Sequence, residues 1–219
     1  MSDFANPGVL ALWLISMDED FKPISIEEEE WARNLSVNRS RQFKYSRGYV
    51  REFLSDLFNL PALEIPLNAP PGKPPELPEG WGNISISHCD DCLLIGWSPK
   101  KIGVDIERVD RDLKVDQLLK RYFSTLEIKK FNNLTEEEKR FEVLKQWVIK
   151  EAAIKWQRGS IFQDFSKWDL FMNSKQAIHK SLGFITEFYL LKYHRWFLAV
   201  SLEKNHHKIK PIFCVKSIL

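Results

Sequence analysis

Cysteine is scarce: Cys89, Cys92 and Cys214 are the only three in 219 residues. So small and odd a number argues against a disulfide framework. Cys89 and Cys92 have the spacing of half a zinc site. No second pair completes it, and His206 and His207 lie far away in sequence, so two ordinary cysteines beside a strand are expected. A surplus of one charge is also missing. Thirty-two Lys and Arg against 30 Asp and Glu leave a formal net charge of +2. A general nucleic-acid binder would be strongly basic, so no nucleic-acid partner is expected. No apolar run approaches the ~20 residues that cross a bilayer. The stretch 1–15 has no basic residue, and its apolar run over 9–15 is too short to span, so a soluble cytoplasmic protein is expected. No glycine-rich phosphate loop is present either.

What the chain does have is apolar material, 44% hydrophobic and 13% aromatic, enough for a sizeable core. The length allows one large domain or two small ones. Residues 8–16 read as a buried strand, and 26–35 and 39–59 as helices. Residues 61–82 hold seven of the eleven prolines and read as a long irregular loop. Such loops in compact domains are often functional. Strands are expected at 84–87, 92–98 and 101–109. Helices follow at 115–121 and 125–158, broken near Asn132 and Asn133. The remainder reads as strands: WDLFMN, FITEFYLLKY, WFLAVSL and IKPIFCVKSI. Helix-then-strands thus occurs twice, with His88 before CLLIGWS and His194 before WFLAVSL. A faint two-fold repeat results, divided near residue 100, so the expected domains are 1–100 and 101–219.

Two segments carry chemistry. In Gly103-Val104-Asp105-Ile106-Glu107, strand periodicity puts Asp105 and Glu107 on one face, with Val104 and Ile106 on the other. Two partly buried carboxylates so placed repel unless a cation sits between them. In Trp147-Val148-Ile149-Lys150-Glu151-Ala152-Ala153-Ile154-Lys155, helical periodicity puts Trp147, Glu151 and Lys155 on one stripe. Trp147 would anchor the helix in the core, and the two charged residues would follow toward a cleft. Each segment alone is commonplace: a solvated strand face in one case, an i, i+4 ion pair in the other.

Together, and in order, they resemble the Sfp-type 4'-phosphopantetheinyl transferases. That family pairs a G-[IV]-D-[IVL]-E strand with a W-x-x-K-E-[AS]-x-x-K helix some forty residues on. Four further segments fit: SRGYVREFL at 46–54, Gly72-Lys73-Pro74, Ser87-His88, and Arg121-Tyr122-Phe123-Ser124-Thr125-Leu126-Glu127. The resemblance spans residues ~46–156; the final sixty match only in strand pattern. Two positions depart from it. Ser85 stands where Asn is frequent. Gln42 precedes Phe43 where Arg is common, leaving Arg39, Arg41 or no residue for one coenzyme A phosphate.

The resemblance implies an α+β fold of two similar halves packed as a pseudo-dimer, with coenzyme A in the cleft between them. It implies transfer of the phosphopantetheine arm of coenzyme A to a serine of an acyl or peptidyl carrier protein, releasing adenosine 3',5'-bisphosphate. Asp105, Glu107 and Glu151 would hold Mg²⁺, whose preference is for hard oxygen ligands. Glu151, or a metal-bound water it orients, would be the base, and Lys155 would meet the pyrophosphate, with Lys150 beside it. The nucleotide end would lie near Lys73, Pro74, Ser87 and His88, and the 3'-phosphate near His88 and Arg47, with Arg33 a further candidate. A monomer is expected, because two fused halves can build the cleft in one chain. The rivals are a non-catalytic carrier-binding module and another Mg²⁺-dependent nucleotide enzyme.

Overall fold

The computed structural model describes residues 9–204 and 210–216, the last segment by its backbone alone. In chain order the elements begin β1 (Val9–Ser16), α1 (Ile26–Arg33), α2 (Val37–Phe58), β2 (Asn83–His88), β3 (Cys92–Ser98) and β4 (Ile102–Arg108). Then come α3 (Val115–Tyr122), α4 (Thr125–Lys130), α5 (Glu136–Gln157), α6 (Ile161–Asp164), β5 (Trp168–Phe171), β6 (Gln176–His179), β7 (Ile185–Tyr193), β8 (Trp196–Glu203) and β9 (Lys210–Lys216). The class is mixed α+β, with two sheets. Two compact units divide the described residues: 9–86, 90–101 and 210–216 form one, and 87–89 and 102–204 the other.

The first unit has a four-stranded sheet in the order β2-β3-β1-β9. β1 runs antiparallel to β3, with Trp13 opposite Ile95, and parallel to β9, with Val9 opposite Lys210. The expected division at residue 100 put this last strand with the second half; its hydrogen bonds are to β1. α1 begins where a capping box forms: Glu28 N–H donates to Ser25 Oγ and Ser25 N–H donates to the Glu28 carboxylate. Three glutamates in its first turn suit the helix dipole. α2 buries Phe43, Val50, Leu54 and Leu57 along one stripe. It stops at Asn59, whose left-handed φ of 53° closes the C-terminus. Trp13 of β1 stacks on Phe53 of α2 with ring centres 5.0 Å apart, and Tyr45, Tyr49 and Trp97 complete this core.

The second unit has a five-stranded antiparallel sheet in the order β4-β8-β7-β6-β5. The break expected near Asn132 and Asn133 separates α4 from α5, each opened by its own capping box, Ser124 with Glu127 and Thr135 with Glu138. β6 was not anticipated: four residues, Gln176–His179, are too short to show a period, and pairing with β5 and β7 makes them a strand. α5 packs on the sheet through Trp147, Val148, Ala152 and Ala153 against Phe188, Phe197 and Ala199.

The approach of α5 to β4 is unusually close at Gly103. A Cβ there would stand 2.0 Å from the Ala152 carbonyl oxygen and 2.4 Å from the Trp156 amide nitrogen. Both contacts are to helix backbone, one turn apart on α5 at Ala152 and Trp156. Gly103→Ala must therefore push α5 off β4. Overpacking of this kind costs about 1–3 kcal/mol, so the urea midpoint should drop clearly with little change in slope. An unchanged midpoint would show that α5 can shift freely.

Candidate active site

Gly103, Asp105 and Glu107 share the face of β4 that meets α5, because alternate strand residues point the same way. Asp105 is 2% exposed. Its Oδ1 accepts a hydrogen bond from Ser87 Oγ at 2.6 Å and one from Lys155 Nζ at 2.6 Å. Lys155 Nζ also donates to Ser87 Oγ at 2.8 Å, and the Ile106 amide donates to the same oxygen at 3.3 Å. The hydroxyl of Ser87, expected at the nucleotide end, is thus fully used in fixing Asp105 and Lys155. Asp105 Oδ2 is buried with no hydrogen-bond partner. A buried carboxylate with one oxygen doubly bonded and the other orphaned is an incomplete site.

Glu151 lies one helical turn before Lys155 and is partly buried. Burial pushes its carboxyl up to about 8, and the charges of Asp105 and Glu107 push the same way, opposed by Lys155 and Arg111. Arg111 forms an ion pair with Glu107. Three carboxylates from one strand and one helix therefore feel one another's charge, with two cations of the chain set against them. Among the described residues, no three His, Cys, Asp or Glu side chains converge closely enough to cage a metal as they stand. The donor set is nevertheless hard oxygen throughout, and the orphaned Oδ2 and the repulsion at Glu151 both favour a small divalent cation such as Mg²⁺.

Lys150 departs from expectation. It is 0% exposed; its ammonium pairs with Glu127 and donates to the Phe165 carbonyl at 3.3 Å. The rings of Phe123 and Phe165 lie 5.0 and 5.1 Å from it. So enclosed, it does not reach a pyrophosphate. One residue along a helix turns the side chain by about 100°, so Lys150 enters the core where Glu151 faces β4. Burial alone would raise Glu127, but Lys150 and Ser124 hold it below the usual carboxylate range. The spacing Ser124-x-x-Glu127 carries a capping-box signature, which marks the helix start but not the lysine partner.

The other expected residues belong to the first unit, apart from His88, which is exposed at the end of β2 and groups with the second. Arg33 is exposed in the last turn of α1. Lys73 and Pro74 are exposed on the proline-rich loop, next to Gly72 with φ 75°. Arg47 is 9% exposed; its Nε donates to the Ala69 carbonyl at 2.9 Å, its Nη1 to Ser46 Oγ at 3.0 Å, and its guanidinium lies 4.4 Å over the Phe43 ring. Burial pulls it down to about 10, offset only in part by the charge of Glu28. The structure thus brings together Asp105, Ser87 and Lys155, with Glu107, Glu151 and Arg111 in electrostatic reach. Sequence reasoning missed Arg111 as the partner of Glu107 and Ser87 as the partner of Asp105.

This grouping of acids and lysine lies within residues 101–209, apart from Ser87, and that stretch, about half of the chain, matches the model of the 4'-phosphopantetheinyl transferase superfamily. Through it the chain belongs to that superfamily, whose members transfer phosphopantetheine from coenzyme A to carrier proteins. No curated protein matches the sequence significantly. No helix of the described residues is long and apolar enough to cross a membrane.

Two consequences can be measured. In the metal-free protein the folded state keeps the Glu151 proton up to about 8, whereas the unfolded chain releases it near 4.5. Between those values the folded state binds more protons, so stability falls as pH rises through the window. Urea midpoints should decline over that range in the wild type and decline less in Glu151→Gln; equal slopes would place the dependence elsewhere. For the buried pair, Lys150→Met should cost about 3–5 kcal/mol by leaving Glu127 buried without its cation. Adding Glu127→Gln to that variant should cost far less than Glu127→Gln does alone, a coupling of roughly 1 kcal/mol or more. Additive losses would show that the pair is not a unit.

Proposed function

We propose that the chain transfers the 4'-phosphopantetheine arm of coenzyme A to a serine of an acyl or peptidyl carrier protein, releasing adenosine 3',5'-bisphosphate. The observation that carries this reading is the incomplete site at Asp105: a buried carboxylate fixed on one side by Ser87 and Lys155, orphaned on the other, beside an elevated Glu151. Asp105, Glu107 and Glu151 would hold Mg²⁺. When bound, the ion would neutralise charge developing on the pyrophosphate.

Glu151 in its ionised form, or a metal-bound water that it orients, would take the proton of the carrier serine hydroxyl. The serine oxygen attacks the β-phosphorus of coenzyme A; the bond to the bridging oxygen breaks, and its electron pair leaves with the nucleotide. Lys155, with a side chain 30% exposed, supplies a cation to the pyrophosphate. At the nucleotide end, Arg47 supports the reading. Among the described residues no carboxylate lies within ion-pair distance of it, so it offers a buried positive charge to a phosphate. His88, Lys73 and Pro74 would contact the same end, with Arg33 further out. The proposal includes two similar halves with coenzyme A in the cleft between them, acting as a cytoplasmic monomer. The acidic helix of a carrier would dock on 111–121, where Lys114, Lys120 and Arg121 are exposed and Leu119 is buried.

The test is the intact mass of an apo carrier protein incubated with the enzyme, coenzyme A and Mg²⁺. A gain of one phosphopantetheine is expected, and adenosine 3',5'-bisphosphate should appear in equal amount. Asp105→Ala and Glu151→Ala should each lower the rate by at least ~100-fold without unfolding the protein. Glu107→Gln should lose less, mainly by needing more Mg²⁺. His88→Ala should raise KM for coenzyme A with kcat largely kept. Near wild-type turnover in Asp105→Ala at saturating Mg²⁺ would overturn the assignment.

A further inference from the structure

The loop between α2 and β2 poses a hydrogen-bonding problem. Pro66, Pro70, Pro71, Pro74 and Pro75 have no N–H to donate. The loop therefore has few donors of its own: the Leu67 amide reaches the Ile65 carbonyl at 2.8 Å and the Ile65 amide the Ala62 carbonyl at 3.4 Å, but among the described residues no loop amide is hydrogen-bonded to the Ala69 carbonyl. Two of those carbonyls, of Ile65 and Ala69, belong to residues that are 2% and 0% exposed and that directly precede prolines. Left unsatisfied, the Ala69 carbonyl would cost on the order of 1–3 kcal/mol.

Two arginines one turn apart on α2 add the donors that the loop lacks. Arg51 Nη1 donates to the Ile65 carbonyl at 2.8 Å and to the Ala62 carbonyl at 3.3 Å. Arg47 Nε donates to the Ala69 carbonyl at 2.9 Å. Arg51 is itself 3% exposed and is held from behind by Glu28, which accepts from its Nε at 2.7 Å and its Nη2 at 3.2 Å. Glu28 is the same carboxylate that caps α1. One chain of contacts thus runs from the α1 cap through Glu28 and Arg51 to the loop, and a second runs from Arg47. Beyond these anchors the loop closes on itself, with the Asn68 and Glu76 backbones exchanging hydrogen bonds at 3.0 and 2.8 Å. Gly72 and Lys73 lie on the short excursion between them.

We infer that Glu28 and Arg51 are positioning residues that clamp the loop 62–76 in the one conformation that presents Lys73 to the nucleotide end of coenzyme A. The inference rests on the proposed reading of Lys73 and Pro74. Arg47 shares the clamp while also offering its charge to the ligand, whereas the charge of Arg51 is neutralised by Glu28 and serves only the loop.

The experiment compares Glu28→Gln, Arg51→Met and Lys73→Ala by amide hydrogen exchange and by steady-state kinetics with coenzyme A. Gln is accepted at the third position of a capping box, so Glu28→Gln keeps α1 capped and carries the test if Arg51→Met fails to fold. Glu28→Gln should speed exchange across 62–76, with the core of β3 unchanged, and raise KM for coenzyme A roughly threefold to tenfold at nearly constant kcat. Lys73→Ala should raise KM similarly and leave exchange as it was. Unchanged exchange in Glu28→Gln would refute the clamp itself. Faster exchange with an unchanged KM for coenzyme A in both Glu28→Gln and Lys73→Ala would instead refute the role given to the loop.

Discussion

The contact on which the site depends is the one between the backbone of α5 and Gly103. A helix normally stands off a sheet by the thickness of two layers of side chains. At Gly103 there is no side chain, and α5 meets it with backbone atoms of Ala152 and Trp156. The helix is thereby drawn close enough for Lys155 to reach Asp105 Oδ1 and for Glu151 to feel Asp105 and Glu107. The glycine that opens the strand motif is what lets the helix backbone come this close. This explains why a glycine accompanies the acids and the lysine without taking part in their chemistry.

Buried charge is handled in two ways in this chain. Glu28 with Arg51, and Glu127 with Lys150, are closed pairs in which the groups find further hydrogen bonds to backbone. Such pairs contribute little net stability against apolar replacements, but each penalises any arrangement that separates its members. They hold α1 to α2 and α4 to α5. The group around Asp105 is open by contrast. It has three acids, and one acid oxygen has no partner. Closed pairs fix the scaffold, and the open group is left with binding capacity for something else. The distinction also reassigns Lys150: one residue from Glu151 in sequence, it points into the core, and its pairing with Glu127 sets the rotation that aims Glu151 at β4.

Much of this was legible in the sequence. Strand and helix periods put Asp105 with Glu107, and Trp147 with Glu151 and Lys155, on common faces, and both placements follow from geometry that any strand or helix obeys. The expected strands at 92–98 and 101–109 correspond closely to β3 and β4 because they are continuous apolar or alternating runs bounded by turns. β6 was invisible because four residues display no period. The parallel pairing of β9 with β1 joins strands nearly two hundred residues apart, and no local pattern records it.

The amino-acid sequence by itself determined which residues carry charge, which share a face, where helices begin through Ser25, Ser124 and Thr135, and where prolines forbid regular structure. Those are consequences of covalent chemistry and local backbone geometry. Only the tertiary structure decided which charges meet. Which carboxylate a lysine on α5 meets depends on what the neighbouring elements bring to it, and that sent Lys155 to Asp105 on β4 and Lys150 to Glu127 on α4. Likewise an arginine on α2 becomes a clamp only because folding returns a donor-poor, proline-rich loop to its side, where buried carbonyls must be satisfied.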